Sequence, residues 1–438
     1  MKLIGFIRDI KRFSLISKIS LIHTLTLIVF YFLRKHTIGW DEREYILASF
    51  FKDNDHIRID EFSQAPIFII RFFKYIIYGF KELSDFEMIN YVNDESFTIF
   101  KFILLTLLIL IPFLIYKISS KFQKLNLKFN LEYIILSISL IVSIPILYGK
   151  HLYALISLFS VPLILWISYI LIPNYDTKKK VINKINNKTL FIAGILLSIV
   201  NLFRFDSITI YLFISAQFLL IFIFGNENKR KNLIKFMIFS LGYLLIFIIN
   251  TTSYSFHNNV MQPPTMFFTN PYGGTGWVDG PFKYVEQCYS QGNYDYLSIL
   301  SCIFTQGKFN SIIASLALNI KELSKAIFSI DAFPLFLVFL PCSGFLLMLR
   351  DKKFKELFIF NNALILSSLA YTLFAIEIRY TLFASLGLSL YSIFAINNMK
   401  KLDNLNPVIR PLLIILFVNS YFYLFFGITT HPHNIFNF

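Results

Sequence analysis

Residues 98–116 read TIFKFILLTLLILIPFLIY and contain a single charged side chain, Lys101, near their start. A helix needs about 20 mostly apolar residues to cross the hydrocarbon core of a bilayer. Stretches of this kind recur from one end of the chain to the other, and about eleven can be counted. They lie at residues 14–33, 98–116, 131–148, 152–173, 189–205, 207–225, 233–250, 333–349, 357–376, 381–396 and 409–427. The sequence therefore predicts an all-α integral membrane protein with about eleven transmembrane helices.

The composition excludes a water-soluble fold. Of the 438 residues, 56% are hydrophobic and only 15% are charged, and the mean hydropathy is +0.62. The formal net charge of +15 is also typical of nucleic-acid-binding proteins. That interpretation requires a basic face on a soluble domain, whereas the Lys and Arg residues lie in loops that flank the apolar stretches. We interpret the charge as a signal of membrane topology.

The basic loops predict the orientation, because Lys and Arg are retained on the cytoplasmic side. They fall in alternate connections: the N-terminus, 117–128, 178–188, 229–235, 350–355 and 400–410. Most acidic residues fall in the other connections. The N-terminus is therefore predicted to be cytoplasmic and the C-terminus extracytoplasmic. Segment 14–33 has no small-residue cleavage site before His36 and Trp40, so we expect a retained helix rather than a signal peptide.

Two predicted extracytoplasmic loops, residues 34–97 and 251–331, are too long to be simple turns. The first contains apolar segments interrupted by Arg71 and Lys74, as expected of interfacial helices. The second closes with SIIASLALNIKELSKAIF, a candidate amphipathic helix. Neither loop is long enough to be an independent soluble domain, so residues 1–438 are predicted to form a single polytopic membrane domain.

The cysteines favour no metal site. Cys288 and Cys302 share the second loop, where a disulfide is permitted, and free thiols are equally consistent with the sequence. Cys342 is the third cysteine, and no Cys/His spacing resembles a zinc site.

Three charged groups lie next to predicted helix ends on the extracytoplasmic side. They are WDEREYILA at 40–48, with Asp41 and Glu42; FRFDS at 203–207, with Arg204 and Asp206; and IEIRY at 376–380, with Glu377, Arg379 and Tyr380. A fourth connection, YGKHLY at 148–153, adds Lys150 and His151. Charges near membrane helix ends are functional candidates when they are not cytoplasmic anchors. Hydropathy and basic-residue counts independently assign all of them to one face.

These residue types are suited to sugar transfer from a lipid phosphate. A carboxylate can remove the proton of an acceptor hydroxyl as that hydroxyl attacks the anomeric carbon. Guanidinium groups bind phosphate through two parallel hydrogen bonds and stabilise the charge on the departing phosphate. A divalent cation (Mg or Mn) stays open, because the acids could bind one and the arginines could replace one.

Structural roles compete with this interpretation. Arg204 with Asp206, and Glu377 with Arg379, could each be a local ion pair that caps a turn. An isolated Asp41 would more often be a solvated acid. Lys150 and His151 could be an interfacial anchor and an ordinary loop residue. The glycine-rich YGGTGW at 272–277 lacks the strand and the Lys-Ser/Thr of a phosphate-binding loop, so it is interpreted as turns.

The segment DEREYILAS resembles the first outside loop of the polytopic GT-C glycosyltransferases, which begins with an acidic motif just after helix one. RFDS is similar to the arginine-containing turn of that superfamily, and EIRYTLFASLGLSLYSIFAI to its late Arg-Tyr motif. The resemblance implies that Asp41 is the catalytic base and that Glu42 assists. It also implies that Arg204 and Arg379 contact the phosphate of a polyprenyl-phosphate-linked sugar.

The loop plan is similar to that of the bacterial O-antigen-modifying glucosyltransferases, without the large C-terminal domain of other members. This implies a multi-pass protein of the bacterial inner membrane that glycosylates a lipopolysaccharide or another glycan or glycolipid acceptor. An O-antigen or capsule polymerase is an alternative, although such enzymes place their essential arginines in later loops. A transporter or lipid flippase is a second alternative, but it would carry charges near the bilayer midplane.

Overall fold

The computed structural model of the chain describes residues 13–33, 72, 98–125, 129–148, 159–176, 181–183, 185–203, 207–224, 229–251, 301–302, 305, 317, 320–329, 332–373, 381–398, 411–418 and 420. The helices are α1 (Leu15–Leu33), α2 (Thr98–Leu125), α3 (Leu131–Val142), α4 (Pro145–Tyr148), α5 (Ser160–Leu171), α6 (Asn187–Phe203), α7 (Ile208–Phe224), α8 (Lys229–Thr251), α9 (Phe339–Arg350), α10 (Lys355–Ser367) and α11 (Leu382–Asn398). Short 3-10 helices span Leu335–Leu337, Lys352–Phe354 and Ser368–Leu373. Residues 320–327 and 411–418 are also helical.

Each predicted membrane span overlaps a helix, but several spans consist of two shorter pieces. The stretch 131–148 forms α3 and then α4, and the break comes at Ser143 and Ile144. Pro145 follows the break and begins α4, where its missing N–H costs no hydrogen bond within the helix. The span 357–376 changes in the same way from α10 to a 3-10 helix at Ser368.

Two helical segments of the described chain, Leu105–Leu125 and Lys229–Ile248, are long and apolar enough to cross a membrane. Seven further apolar helices have 10–17 residues. A 12-residue helix such as α3 is about 18 Å long, which is less than the roughly 30 Å of hydrocarbon. Such a helix reaches across only together with the piece that continues it.

A small β-hairpin corrects the prediction of an all-α chain. Strands β1 (Asn174–Asp176) and β2 (Val181–Asn183) pair antiparallel, with Tyr175 opposite Ile182. The sequence predicts only a basic topology signal at residues 178–188. The β-favouring Tyr175, Val181 and Ile182 lie in the two strands, on either side of the run TKKK at 177–180, which is outside the described residues.

Glycines bring pairs of helices into backbone contact. A Cβ atom on Gly194 of α6 would lie 2.1 Å from the backbone oxygen of Phe239 in α8, and one on Gly242 would lie 2.2 Å from that of Phe191. Gly344 makes the same kind of contact between α9 and α11, where a Cβ would lie 1.9 Å from the Tyr391 oxygen. Small residues at helix crossings are typical of membrane proteins, because helix association there depends on close packing.

The polar contacts between α1 and α3 show that these helices run in the same direction. The amide and hydroxyl of Ser14 donate to the two carboxylate oxygens of Glu132 at 2.8 and 2.9 Å. Further along both helices, the hydroxyls of Thr24 and Ser139 are hydrogen-bonded at 2.9 Å. Residue numbers therefore rise together along the pair, as the predicted threading of the first and third spans requires.

Helix ends that the sequence assigns to the basic side meet one another. Gln123 near the end of α2 donates to the side-chain oxygen of Asn397 near the end of α11, at 2.8 Å. Lys235 near the start of α8 forms an ion pair with Glu356 in the first turn of α10. These contacts join helix ends from both halves of the chain at the predicted basic end. Which membrane face this end occupies stays a prediction.

Most of the two long predicted loops lies outside the described residues. Within 251–331, residues 320–327 form the last turns of the candidate amphipathic helix. Cys302 is disulfide-bonded and Cys342 is a free thiol. Cys288, the partner considered for Cys302, lies outside the described residues.

Candidate active site

The structure describes the helix ends around the predicted site and not the predicted side chains themselves. All nine lie outside the described residues: Asp41, Glu42, Lys150, His151, Arg204, Asp206, Glu377, Arg379 and Tyr380. Their mutual distances, and the choice between ion pairs and a shared site, stay predictions. The structure shows how the flanking helices are held.

The connection that carries Arg204 and Asp206 is closed by a hydrogen bond between its two ends. The hydroxyl of Ser207 donates to the side-chain oxygen of Asn201 at 3.1 Å, and both residues are almost fully buried. Asn201 lies in the last turn of α6, and Ser207 directly precedes α7. No described residue accepts a hydrogen bond from Asn201 Nδ2. A buried amide donor therefore lies three residues before Arg204 with no acceptor in the described part of the chain.

An aromatic contact lies between the connection that follows Lys150 and His151 and the connection that carries Arg204. The rings of Phe159, at the start of α5, and Phe203, at the end of α6, stack with centroids 6.0 Å apart and an angle of 20°. Phe203 directly precedes Arg204. Phe159 ends the segment that begins with Lys150 and His151. One end of this segment is therefore fixed beside the Arg204 connection.

The late Arg-Tyr motif immediately precedes a buried helix start. Thr381 and Leu382, which follow Tyr380, have 0% and 1% of their surface exposed. The short α4 packs against α11. Ser137 of α3 is hydrogen-bonded to Asn397 at the opposite end of α11, so α4, about two turns beyond Ser137, is expected to reach the half of α11 nearer Leu382. The connections with Lys150 and with Arg379 are thereby expected at one end of the bundle.

Helix α1, which precedes Asp41 and Glu42, is fixed by buried polar contacts that the sequence analysis did not single out. His23 Nε2 is hydrogen-bonded to the Ser143 hydroxyl at 2.8 Å and lies 3.3 Å from that of Ser420. The His23 ring stacks on Phe417 at 3.9 Å. A signal was present in the sequence, because Ser17, Ser20, His23 and Thr24 recur at helical spacing within an apolar span. Polar residues on one stripe of a membrane helix face protein rather than lipid.

No group of three or more His, Cys, Asp or Glu side chains that could hold a metal ion occurs in the part of the chain that the structure describes. The acids considered as ligands, Asp41, Glu42, Asp206 and Glu377, lie outside that part. The described residues therefore do not test whether these acids bind a Mg or Mn ion.

Comparison with known proteins adds little to the assignment. No protein-family model and no curated protein matches the sequence. One similar solved structure is the archaeal oligosaccharyltransferase AglB from Archaeoglobus fulgidus, in complex with an inhibitory peptide and a dolichol-phosphate. The likeness covers 93% of this chain and 55% of that chain, with 13% sequence identity and a TM-score of 0.47. The chain thus spans about half the length of that enzyme. At these values the likeness assigns neither a family nor an activity.

Proposed function

We propose that this chain is a GT-C-type glycosyltransferase of the bacterial inner membrane. It moves a sugar from a polyprenyl-phosphate carrier to a cell-envelope glycan or glycolipid on the extracytoplasmic face. The main support is the convergence of four charged connections on one predicted face. The contacts that fix the helix ends beside these connections are consistent with that convergence.

The proposed reaction is a displacement at the anomeric carbon of the donor. The acceptor hydroxyl oxygen forms a bond to that carbon, and its proton passes to a carboxylate oxygen of Asp41. The bond between the anomeric carbon and the phosphate oxygen breaks, and polyprenyl phosphate departs with the electron pair. Arg204 and Arg379 bind the phosphate and stabilise its added charge. Glu42, Asp206, Glu377, Tyr380, Lys150 and His151 are proposed to shape the site and bind substrate.

The buried hydrogen bond between Asn201 and Ser207 supports the proposed role of Arg204. Arg204 lies within a connection whose ends cannot separate while that bond is intact. A guanidinium group that binds a phosphate in a two-pronged geometry needs a backbone that is held in place. Misplacement of such a group by about 1 Å can lower the rate about 100-fold. The loops 34–97 and 251–331 are proposed to recognise the acceptor from the same face.

The decisive experiment compares the purified wild-type protein with Asp41→Asn in sugar transfer from candidate polyprenyl-phosphate sugars to envelope glycans. Loss of a general base is expected to lower the rate by about 100-fold or more. Asp53→Asn, which removes another acid of the same predicted loop, is the matched control and should keep its activity. Transfer by Asp41→Asn at the wild-type rate would show that Asp41 is not the base.

The same preparations separate the rival functions. A polymerase would extend pyrophosphate-linked repeat units and ignore monophosphate-linked sugars. A flippase would move labelled lipid across proteoliposomes without forming a glycosidic bond, and Asp41→Asn would leave that movement unchanged. Either result would replace the transferase assignment.

A further inference from the structure

A cleft of about 360 Å³ opens between α7, α9 and α10. Its apolar walls include Leu220 and Ile221 of α7, Leu349 of α9 and Phe358 of α10. The volume lies at the lower end of the range of ligand pockets, roughly 300–1,000 Å³. This cleft is separate from the predicted active site, because Leu220 lies near the end of α7 whereas Arg204 precedes its start.

The cleft is open to the surroundings of the bundle on one side. Leu220 and Leu349 each leave 54% of their surface exposed. On the exterior of a membrane-spanning bundle, apolar side chains of this kind contact acyl chains rather than water. A molecule that enters this cleft can therefore come from the bilayer itself.

Gln217 of α7 places a polar group in the apolar wall of the cleft. Its Nε2 donates to the backbone oxygen of Phe213 at 3.2 Å and to that of Ile359 in α10 at 3.1 Å. Backbone carbonyl oxygens only accept hydrogen bonds, so the amide nitrogen must be the atom that faces them. The amide oxygen, Oε1, is left without a donor from the part of the chain that the structure describes.

The charged side chains at the rim of the cleft require no charge on a ligand. The Asp351 carboxylate forms an ion pair with Lys353 at 2.8 Å. Lys352 and Lys355 also interact with other residues of the chain. The polar group that a ligand must match is therefore the neutral acceptor of Gln217.

We propose that this cleft binds a neutral bilayer lipid that carries a hydroxyl group. The hydroxyl donates a hydrogen bond to Gln217 Oε1, and the hydrocarbon chain lies along Leu220, Leu349 and Phe358. An acceptor in apolar surroundings is costly when it has no donor, so a lipid with a hydroxyl is favoured over one without. An ionised phosphate or carboxylate has no donor and would form no hydrogen bond with Oε1. The inference does not depend on the proposed transferase activity.

The test compares dodecanol with dodecyl methyl ether, which has the same hydrocarbon chain and no hydrogen-bond donor. The full-length protein is kept in lauryldimethylamine oxide, a detergent without hydroxyl groups, so that the detergent cannot supply the donor. Each ligand competes with a photoactivatable dodecanol analogue, and the labelled peptides are mapped by mass spectrometry. Dodecanol should bind about fivefold more tightly than the ether, which is the effect of one neutral hydrogen bond. The label should fall on α7, α9 and α10.

Two variants test the two parts of the cleft. Gln217→Met removes the acceptor at a similar side-chain length, so the alcohol and the ether should then bind equally. Because both ligands are compared in the same variant, a change in its stability does not affect the result. Leu220→Trp fills part of the cleft and should weaken the binding of both ligands. Leu219→Trp is the matched control, because Leu219 is 58% exposed on the same helix and does not line the cleft, and it should bind both as the wild type does.

Three outcomes would contradict the proposal. Equal affinity of the wild type for dodecanol and the ether would overturn it, because water would then satisfy the amide oxygen. A preference for dodecanol that persists in Gln217→Met would show that another group accepts the hydrogen bond. Labelling that Leu220→Trp leaves unchanged would place the binding site elsewhere.

Discussion

Replacing Gly194 with alanine tests the closest helix contact of the structure. The added methyl group would lie 2.1 Å from the Phe239 oxygen and 2.9 Å from the Tyr243 nitrogen, and both are backbone atoms. Real Cβ atoms essentially never approach within 3.0 Å of another heavy atom, so α6 and α8 must separate by about 1 Å at this point. Overpacking of this kind costs about 1–3 kcal/mol, and a backbone obstacle favours the upper value.

The substitution also stabilises α6 by about 1 kcal/mol, because alanine is a better helix former than glycine. The expected net loss is about 2 kcal/mol, which is a factor of about 30 in the ratio of folded to unfolded protein. The assay is the denaturant midpoint of the purified protein in detergent, followed by circular dichroism.

Gly387→Ala is the matched control for this substitution. Its nearest neighbours are Cγ1 of Ile365 at 2.8 Å and the Asn361 backbone oxygen at 3.1 Å, a milder clash than at Gly194, so we expect a loss of about 1 kcal/mol or less. Combining Gly194→Ala with Gly242→Ala should cost less than the sum of the single changes, because one separation of the helices relieves both clashes. A Gly194→Ala protein as stable as the Gly387→Ala protein would refute this close approach of α6 and α8.

Substitutions at three polar contacts between helices give the remaining predictions. Glu356→Gln should destabilise the protein by about 2 kcal/mol in the same denaturant assay, since Lys235 loses a largely buried partner, and Lys235→Met/Glu356→Leu should recover most of this. Gln123→Leu, which removes the bond from α2 to α11, should lower the free energy of unfolding by about 1–2 kcal/mol; no change would mean that water replaces the bond. Ser207→Ala should raise the activation free energy of sugar transfer by more than it lowers the free energy of unfolding. Ser207→Thr keeps the donor to Asn201 and should restore the rate of transfer.

The positions of the helices could be predicted from the sequence because long apolar stretches have few alternatives in a bilayer. Where a helix breaks is harder to predict, because α2 continues through Pro112, whereas α3 ends at Val142 and a new helix begins at Pro145. The backbone contact at Gly194 could not be predicted, because it requires knowing that α8 is the partner of α6. The hairpin around Tyr175 was missed because its strands are only three residues long.

For the candidate site, the sequence predicts the chemical roles of the side chains, and the structure describes the helix ends next to them. The bond between Asn201 and Ser207 could not be foreseen, because Asn and Ser at a helix end are equally common as solvent-facing caps. Burial decides between these roles, and burial is a property of the packed bundle. Asp41 and Arg379 keep the roles that their motifs and predicted sidedness give them, as proposals for the transfer assay.

The contact of His23 with Phe417 and Ser420 has a consequence for the order of biosynthesis. Ser420 is made 397 residues after His23, which at the usual rate of translation is a delay of roughly 20–80 s. During this interval the first helix is complete while its last neighbour is still unmade. A nascent chain stopped before residue 411 would therefore present His23 without its aromatic cover. The imidazole would then keep its hydrogen bond to Ser143 and lack the packing that α1 gains from the end of the chain.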